Sequence, residues 1–210
     1  ESLIPPPTGY GYGDRGRDTI DRIAAKVFGA EAGFMRPSIL SGTHALTIGL
    51  FGLLRPGDIM LSITGAPYDT LHGVIGISGE KGNGSLADFG IQYIQVELGS
   101  DGGIDLSAVG AALEQYKDKI RVVFLQRSKG YQNRKTLTVD EIGKAAAFVK
   151  QNAAWNPYVV LDNCYGEFTE EKEPCACGVD LMIGSLIKNP GGGLADCGGY
   201  LVGTQRAVEL

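Results

Sequence analysis

The sequence has little of what marks a nucleic-acid or membrane protein. Its 210 residues carry a formal net charge of −5 and no basic stripe, which excludes nucleic acid as an expected partner. Gly, Asp or Arg interrupts every apolar stretch well before membrane-spanning length, and no basic segment followed by an apolar one opens the chain. We therefore predict a protein that binds neither nucleic acid nor membrane and shows no secretory signal.

Cysteine and histidine are scarce, with four and two copies. The cysteines lack the paired CxxC spacing of a structural zinc site, so we predict no metal site. Cys175 and Cys177 are too close in sequence for an ordinary disulfide, and reduced thiols are typical of the cytoplasm. The cysteines therefore favour a cytoplasmic protein.

Two common nucleotide-binding motifs are missing from the positions that nucleotide binding requires. No GxGxxG follows a predicted strand, which argues against a nicotinamide enzyme, and no Gly-Lys-Ser/Thr completes a Walker motif. Glycine is abundant instead, with 32 copies, as expected for short βα connections or for turns around a bound ligand.

Apolar runs and amphipathic segments alternate along the chain, which predicts an α/β fold with a mostly parallel sheet between two helix layers. We predict an extended arm at 1–17, because Pro and Gly dominate it. The first helix should bury one face with Ile20, Ile23, Ala24 and Val27. Strands are predicted at 34–39, 59–63, 93–98, 121–125, 158–161, 180–183 and 199–202, and helices at 18–28, 44–54, 69–76, 105–117 and 138–152.

Ligands bind such sheets beyond the carboxyl ends of the strands, and two charged residues stand there. Asp162 directly follows the apolar run 159–161, where it could pair with the protonated ring nitrogen of pyridoxal 5'-phosphate (PLP) or cap the next turn. Lys188 lies between an apolar run and a triple glycine. It is either a desolvated nucleophilic amine with a lowered pKa or an exposed loop lysine.

Hydroxyl and glycine residues near helix starts are candidate phosphate ligands. Ser41, Gly42 and Thr43 precede an apolar helix, and they form either a phosphate site or a plain helix cap. Ser185, three residues before Lys188, is a second candidate.

Four further residues could contact a planar cofactor or an anion. Tyr68 follows the strand at 59–63, so its ring could stack on a cofactor or lie on the surface. Arg127 could bind an anion or be a solvated strand-end arginine. His44 could lie over the cofactor or belong to the helix start, and Asn163 is a candidate hydrogen-bonding neighbour of Asp162.

A set of motifs resembles one known family in order and spacing. The motifs are Gly9-Tyr10-Gly11-Tyr12, Gly16-Arg17-Asp18, Ser41-Gly42-Thr43-His44-Ala45, Arg55-Pro56-Gly57-Asp58, Pro67-Tyr68-Asp69-Thr70-Leu71, Gln126-Arg127-Ser128, Asp162-Asn163-Cys164-Tyr165-Gly166-Glu167-Phe168 and Gly184-Ser185-Leu186-Ile187-Lys188-Asn189-Pro190-Gly191-Gly192-Gly193. The chain resembles the methionine gamma-lyase family, also called aluminium resistance proteins, from about residue 8 to the end. These are fold-type I PLP enzymes similar to cystathionine beta-lyases.

The resemblance implies roles for several of these residues. Lys188 would be the Schiff-base lysine and proton shuttle, and Asp162 would hold the ring nitrogen. Gly42, Thr43 and Ser185 would hold the phosphate. Tyr68 would stack on the ring and assist the leaving group. An N-terminal segment would reach a neighbouring subunit, with Tyr10, Tyr12 and Arg17 as candidates, so a homodimer or homotetramer is expected.

The resemblance also implies a small C-terminal domain that supplies an arginine for the substrate carboxylate. The sequence stops before such a domain, so we expect a partial chain in which residues 18–210 form the PLP-binding large domain. The expected activity is carbon–sulfur bond cleavage in a sulfur amino acid by β- or γ-elimination. An aminotransferase or another PLP enzyme, and a non-catalytic PLP-fold subunit, are the alternatives.

Overall fold

The computed structural model describes residues 14–210, which form one seven-stranded sheet with helices on both faces. Its strands lie in the order β1-β7-β6-β5-β4-β2-β3. The strands are β1 (Ala32–Arg36), β2 (Ile59–Ser62), β3 (Gln92–Gln95), β4 (Ile120–Gln126), β5 (Tyr158–Asp162), β6 (Leu181–Ser185) and β7 (Gly199–Gly203). The helices are α1 (Arg15–Val27), α2 (Gly42–Leu53), α3 (Thr70–Ile75), α4 (Leu106–Tyr116), α5 (Val139–Asn152) and α6 (Gln205–Glu209).

The sheet is parallel except at β7, which runs antiparallel to both of its neighbours, β6 and β1. Because β7 reverses direction between them, β1 and β6 run the same way. The carboxyl ends of six strands therefore meet at one edge of the sheet. The predicted α/β sheet is confirmed, and this edge is the expected place for a ligand.

Two apolar cores cover the two faces of the sheet. Side chains from α1, α4 and α5 pack on one face, and side chains from α2, α3 and α6 pack on the other. The central strand β5 contributes Val159 and Leu161 to the first core and Val160 to the second. Successive side chains of a strand point to opposite faces, so a strand buried on both sides is apolar at every position.

The buried face of α1 is not the predicted one. Ile23 and Val27 are 50% and 53% exposed, and Ile20 is exposed too, whereas Ala24 and Ala25 are buried. A Cβ on Gly33 of β1 would lie 2.7 Å from the carbonyl oxygen of Asp21, so the helix lies almost directly on the strand. Such close approach selects the alanine side of the helix, and the larger residues stay at the surface.

The predicted element boundaries differ from the observed ones by at most three residues. One shift of three residues is at α1, which begins at Arg15 because the carboxylate of Asp14 accepts a hydrogen bond from the backbone N–H of Arg17. Residues 15–17 therefore belong to the helix and not to the predicted arm. Within residues 14–210 no helix combines the length and the apolar character that a membrane crossing requires.

Candidate active site

A cleft of about 230 Å³ opens at the carboxyl edge of the sheet. It brings together residues that the sequence places far apart, among them Asp162 at the end of β5 and Lys188 beyond β6. The other lining residues include Ser41, Gly42, Thr43, Tyr68, Thr70, Ser128, Gly130, Cys164, Tyr165 and Ile187. The lining residues follow the carboxyl ends of five strands, β1, β2, β4, β5 and β6.

Asp162 is a buried carboxylate on the floor of the cleft. Its side chain accepts a hydrogen bond from the Cys164 N–H at 3.0 Å, and it forms none of the ion pairs of the described chain. Burial raises the pKa of Asp162, although the charges of Lys188 and Arg134 oppose that rise. A cation in the cleft would stabilise the ionised form, so this site fits a protonated ring nitrogen.

Lys188 is held differently from the prediction. Its Nζ donates a hydrogen bond of 2.7 Å to the hydroxyl of Tyr165. This contact raises the lysine pKa and outweighs the desolvation that was expected to lower it. The lysine is only half-buried, so it remains mainly ammonium at neutral pH in the absence of a cofactor.

The start of α2 forms one end of the cleft. The Ser41 hydroxyl caps the helix by accepting from the His44 N–H, which leaves the N–H groups of Gly42 and Thr43 without an intrahelical acceptor. A Cβ on Gly42 would come within 3.0 Å of the Cys164 sulfur. The Thr43 hydroxyl bonds that of Thr70 at 2.7 Å. Backbone donors at a helix start suit a phosphate.

Tyr68 also lines the cleft, as predicted, and its neighbours fix its position. Its N–H donates to the side chain of buried Gln126 at 2.6 Å, and a Cβ on Gly130 would lie 3.2 Å from its ring. The neighbouring Tyr131 hydroxyl raises the pKa of Tyr68 to about 12. Tyr68 therefore keeps its proton at neutral pH. Sequence reasoning missed Gln126, whose amide lies at a strand end like many surface residues.

Arg127 is neither an anion ligand nor a solvated arginine. It is 2% exposed, and its five N–H groups have five acceptors. The acceptors are the carbonyls of Leu137 and Gly166, the side-chain oxygens of Asn163 and Thr169, and a Glu170 carboxylate oxygen at 2.6 Å. No donor is left for a ligand. Arg127 instead ties β4 to the loop that follows β5.

Three more candidate residues are not among those that line the cleft, and their roles as cofactor contacts stay predictions. Asn163 is fully buried and bonds Arg127 and Glu173, and it does not line the cleft. Ser185 is also buried, and its hydroxyl lies 3.4 Å from the Gly198 carbonyl and 3.3 Å from the Ile187 nitrogen. The His44 ring accepts from the Leu40 N–H at the helix start and lies away from the cleft. In each case a nearby backbone or side-chain group satisfies the polar atom.

Sequence reasoning also missed Tyr165, Cys164 and Arg134. Tyr165 has a left-handed backbone with φ of +69°, which no residue pattern marks. Arg134 bonds the carbonyls of Gln126 and Ser128 behind the cleft. Tyr12 lies outside the described residues, so its predicted role stays a prediction.

The order and direction of the strands give the chain the fold of the large domain of fold-type I PLP-dependent proteins. A distant solved structure of this fold is the pyridoxal-5'-phosphate dependent protein YhfS of Escherichia coli, with a TM-score of 0.67 at 19% identity over 93% of this chain and 46% of that one. The methionine gamma-lyase family model matches residues 1–210, and the chain belongs to that family.

Two relatives have higher sequence identity to the chain. It is 57% identical to the uncharacterized protein YnbB of Bacillus subtilis over 100% of this chain and 49% of YnbB. It is 46% identical to the carbon–sulfur lyase involved in aluminium resistance from Clostridium novyi NT, with a TM-score of 0.93 over 100% of this chain and 49% of that one. The chain therefore spans about half the length of these relatives.

The five bonds of Arg127 predict a structural role. Arg127→Met should lower the free energy of unfolding by about 2–4 kcal/mol, because it leaves buried acceptors without donors. Arg121→Met, at an exposed position of the same strand, is the control and should change it little. Chemical denaturation of the full-length protein measures both. Unchanged stability with weakened anion binding would contradict the structural role.

The buried carboxyl group of Glu167, behind the cleft, should make the stability of the fold depend on pH. Burial raises its pKa to about 7, against a bond from the Tyr200 hydroxyl, so the folded chain keeps it protonated where an unfolded chain, with a pKa of about 4.3, does not. Its contribution to stability is therefore present below about pH 4 and is lost as the pH rises through 7. Glu167→Gln should gain in Tm relative to the parent between pH 5 and 8.

Thermal unfolding at several pH values measures this difference. Glu114→Gln, at an exposed position of α4, is the matched control and should show no such trend. An offset between Glu167→Gln and the parent that stays constant from pH 5 to 8 would show that Glu167 does not titrate in this range.

Proposed function

We propose that the full-length protein is a PLP-dependent carbon–sulfur lyase that acts on a sulfur amino acid of the cystathionine, cysteine or methionine type. One observation carries the proposal: a buried carboxylate, Asp162, faces the same cleft as Lys188 without a cationic partner of its own. Membership of the methionine gamma-lyase family and the likeness to a carbon–sulfur lyase support the reaction class.

Different residues of the cleft would hold different parts of such a cofactor. Asp162 would bind the ring nitrogen, and its burial favours a strong ion pair there. The free N–H groups of Gly42 and Thr43 would bind the phosphate. Bound PLP supplies an electron sink for the charge left at the α-carbon of an amino acid. Cys164 and Tyr165 close the side of the cleft beside Lys188.

Two side chains are suited to move protons. The Lys188 amine, once free and neutral, would take the α-proton of the substrate and become an ammonium. Tyr68 keeps its hydroxyl proton to about pH 12 and could donate it to the departing sulfur. Arg127 cannot bind the substrate carboxylate, because its donors are all in use. We expect that contact from a part of the protein outside this chain.

The cofactor assignment predicts a visible absorption band when PLP is added to the full-length protein. Borohydride should fix the band to the Lys188 peptide, and Lys188→Ala should abolish it. Lys144→Ala, at an exposed position of α5, should keep it. A band that survives in Lys188→Ala would overturn the assignment of the lysine, and no band in the parent would overturn the cofactor.

The reaction class is tested on the same preparation. The loaded protein should release a thiol or sulfide together with ammonia from cystathionine, cysteine or methionine, without an added keto acid. Lys188→Ala should lose at least 10²-fold in rate, the scale of a missing acid–base group. A rate that depends on an added keto acid would instead identify an aminotransferase.

We also propose that the full-length protein forms a homodimer or homotetramer through the face around the cleft. Large rings and aliphatic side chains are exposed there, including Tyr131, Tyr165 and Ile187. Patches of this kind are typical of interfaces. A mass in solution of two or four chains, measured by sedimentation, is expected, and a monomer over the working concentration range would contradict it. The predicted cytoplasmic location belongs to the same proposal and rests on the cysteines.

A further inference from the structure

Tyr165 and Lys188 form a close pair at the wall of the cleft. The Tyr165 hydroxyl accepts the 2.7 Å hydrogen bond from Nζ, and Nζ also lies 4.3 Å from the centre of the tyrosine ring. Both side chains line the cleft. The tyrosine therefore contacts the atom that the proposed reaction uses.

The backbone around Tyr165 is strained. Tyr165 and Phe168 have φ of +69° and +60°, a left-handed conformation that costs free energy in residues with a Cβ. Such conformations persist only where the surroundings hold them, and they are frequent at active sites. Burial of the ring does not explain this one, because Tyr165 is 59% exposed.

Several contacts hold the loop in this shape. Arg127 binds Asn163 and the Gly166 carbonyl on either side of Tyr165. A Cβ on Gly166 would lie 2.4 Å from the Arg127 side chain, so the loop lies directly on the arginine. Arg127 therefore holds the loop on the side that faces the protein interior, and Tyr165 lies on the side that faces the cleft.

Asn189 links the tyrosine to the lysine a second time. This residue directly follows Lys188, and its side-chain amide donates to the carbonyls of Tyr165 at 3.2 Å and Glu167 at 2.9 Å. A displacement of the lysine loop would therefore displace the tyrosine loop with it. The Asn189 side chain and the backbone that joins it to Lys188 therefore keep Tyr165 and Lys188 next to each other.

We propose that Tyr165 is a catalytic residue that holds the Nζ of Lys188 in place whenever the lysine is not bonded to the cofactor. The inference deepens the proposed function and rests on it. When Nζ takes a proton from the substrate α-carbon, the resulting ammonium donates to the phenol oxygen, which stabilises it. The strained loop and the link through Asn189 give the phenol its fixed position.

Amine labelling of the full-length protein without cofactor tests the pair directly. Acetylation of Lys188 is followed against pH by peptide mass spectrometry in the parent, in Tyr165→Phe and in Tyr116→Phe, a half-buried tyrosine of α4. Tyr165→Phe keeps the ring and the backbone conformation and removes only the oxygen. Its Lys188 midpoint should fall by about 0.5–1 pH unit, the scale of one solvent-exposed hydrogen bond.

The controls separate this inference from the proposed function. Tyr116→Phe should leave the Lys188 midpoint unchanged, and exposed Lys144 in the same digest reports on the general reactivity of amines. Tyr165→Gly relieves the strain, so it should keep or raise the Tm while shifting Lys188 as the Phe variant does. An unmoved midpoint in both variants would overturn the role of Tyr165. Absence of the PLP band in the parent would overturn the cofactor and the proposed reaction, whereas the labelling midpoints test the contact between Tyr165 and Lys188 by themselves.

Discussion

The candidate site depends on one buried arginine. Arg127 uses every N–H of its guanidinium to bind the loop beyond β5 and the segment before α5. Burying a charged group costs much free energy unless each of its hydrogen-bonding atoms has a partner. The planar guanidinium, with five donors, can bind several chain segments at once. This clamp acts together with the Asn189 amide, which donates to the Tyr165 and Glu167 carbonyls, to fix the loop that carries Cys164 and Tyr165.

Three buried carboxyl groups, those of Asp162, Glu167 and Glu173, lie at or behind the cleft, and Arg127 alone does not neutralise them. Burial raises the pKa of Asp162, Glu167 and Glu173, so the region favours protonated acids or added positive charge. Glu167 and Glu173 have partners in Tyr200, Asn163 and the Phe168 N–H. Asp162 faces the cleft, where a bound cation can reach it. A positive charge in the cleft would therefore stabilise the ionised form of Asp162.

Sequence patterns predicted the sheet well, because strands covered on both faces must be apolar throughout and helices between them must be amphipathic. The same reasoning placed Asp162, Lys188, Tyr68 and the start of α2 at one edge, and the structure confirms that they share a cleft. It was wrong for α1, where Gly33 brings the helix so close that alanines and not the larger residues are buried.

The sequence by itself determined the parallel sheet and the residues that meet at its carboxyl edge, since strand periodicity and strand ends depend on local composition. Only the tertiary structure decided which polar residues face the cleft. Arg127 and Asn163 stand beside strand ends like Asp162, yet they turn into the protein because hydrogen-bonding partners from other segments of the chain lie there. Tyr165 faces the cleft because a left-handed backbone, held by Asn189 and the arginine clamp, turns it outward.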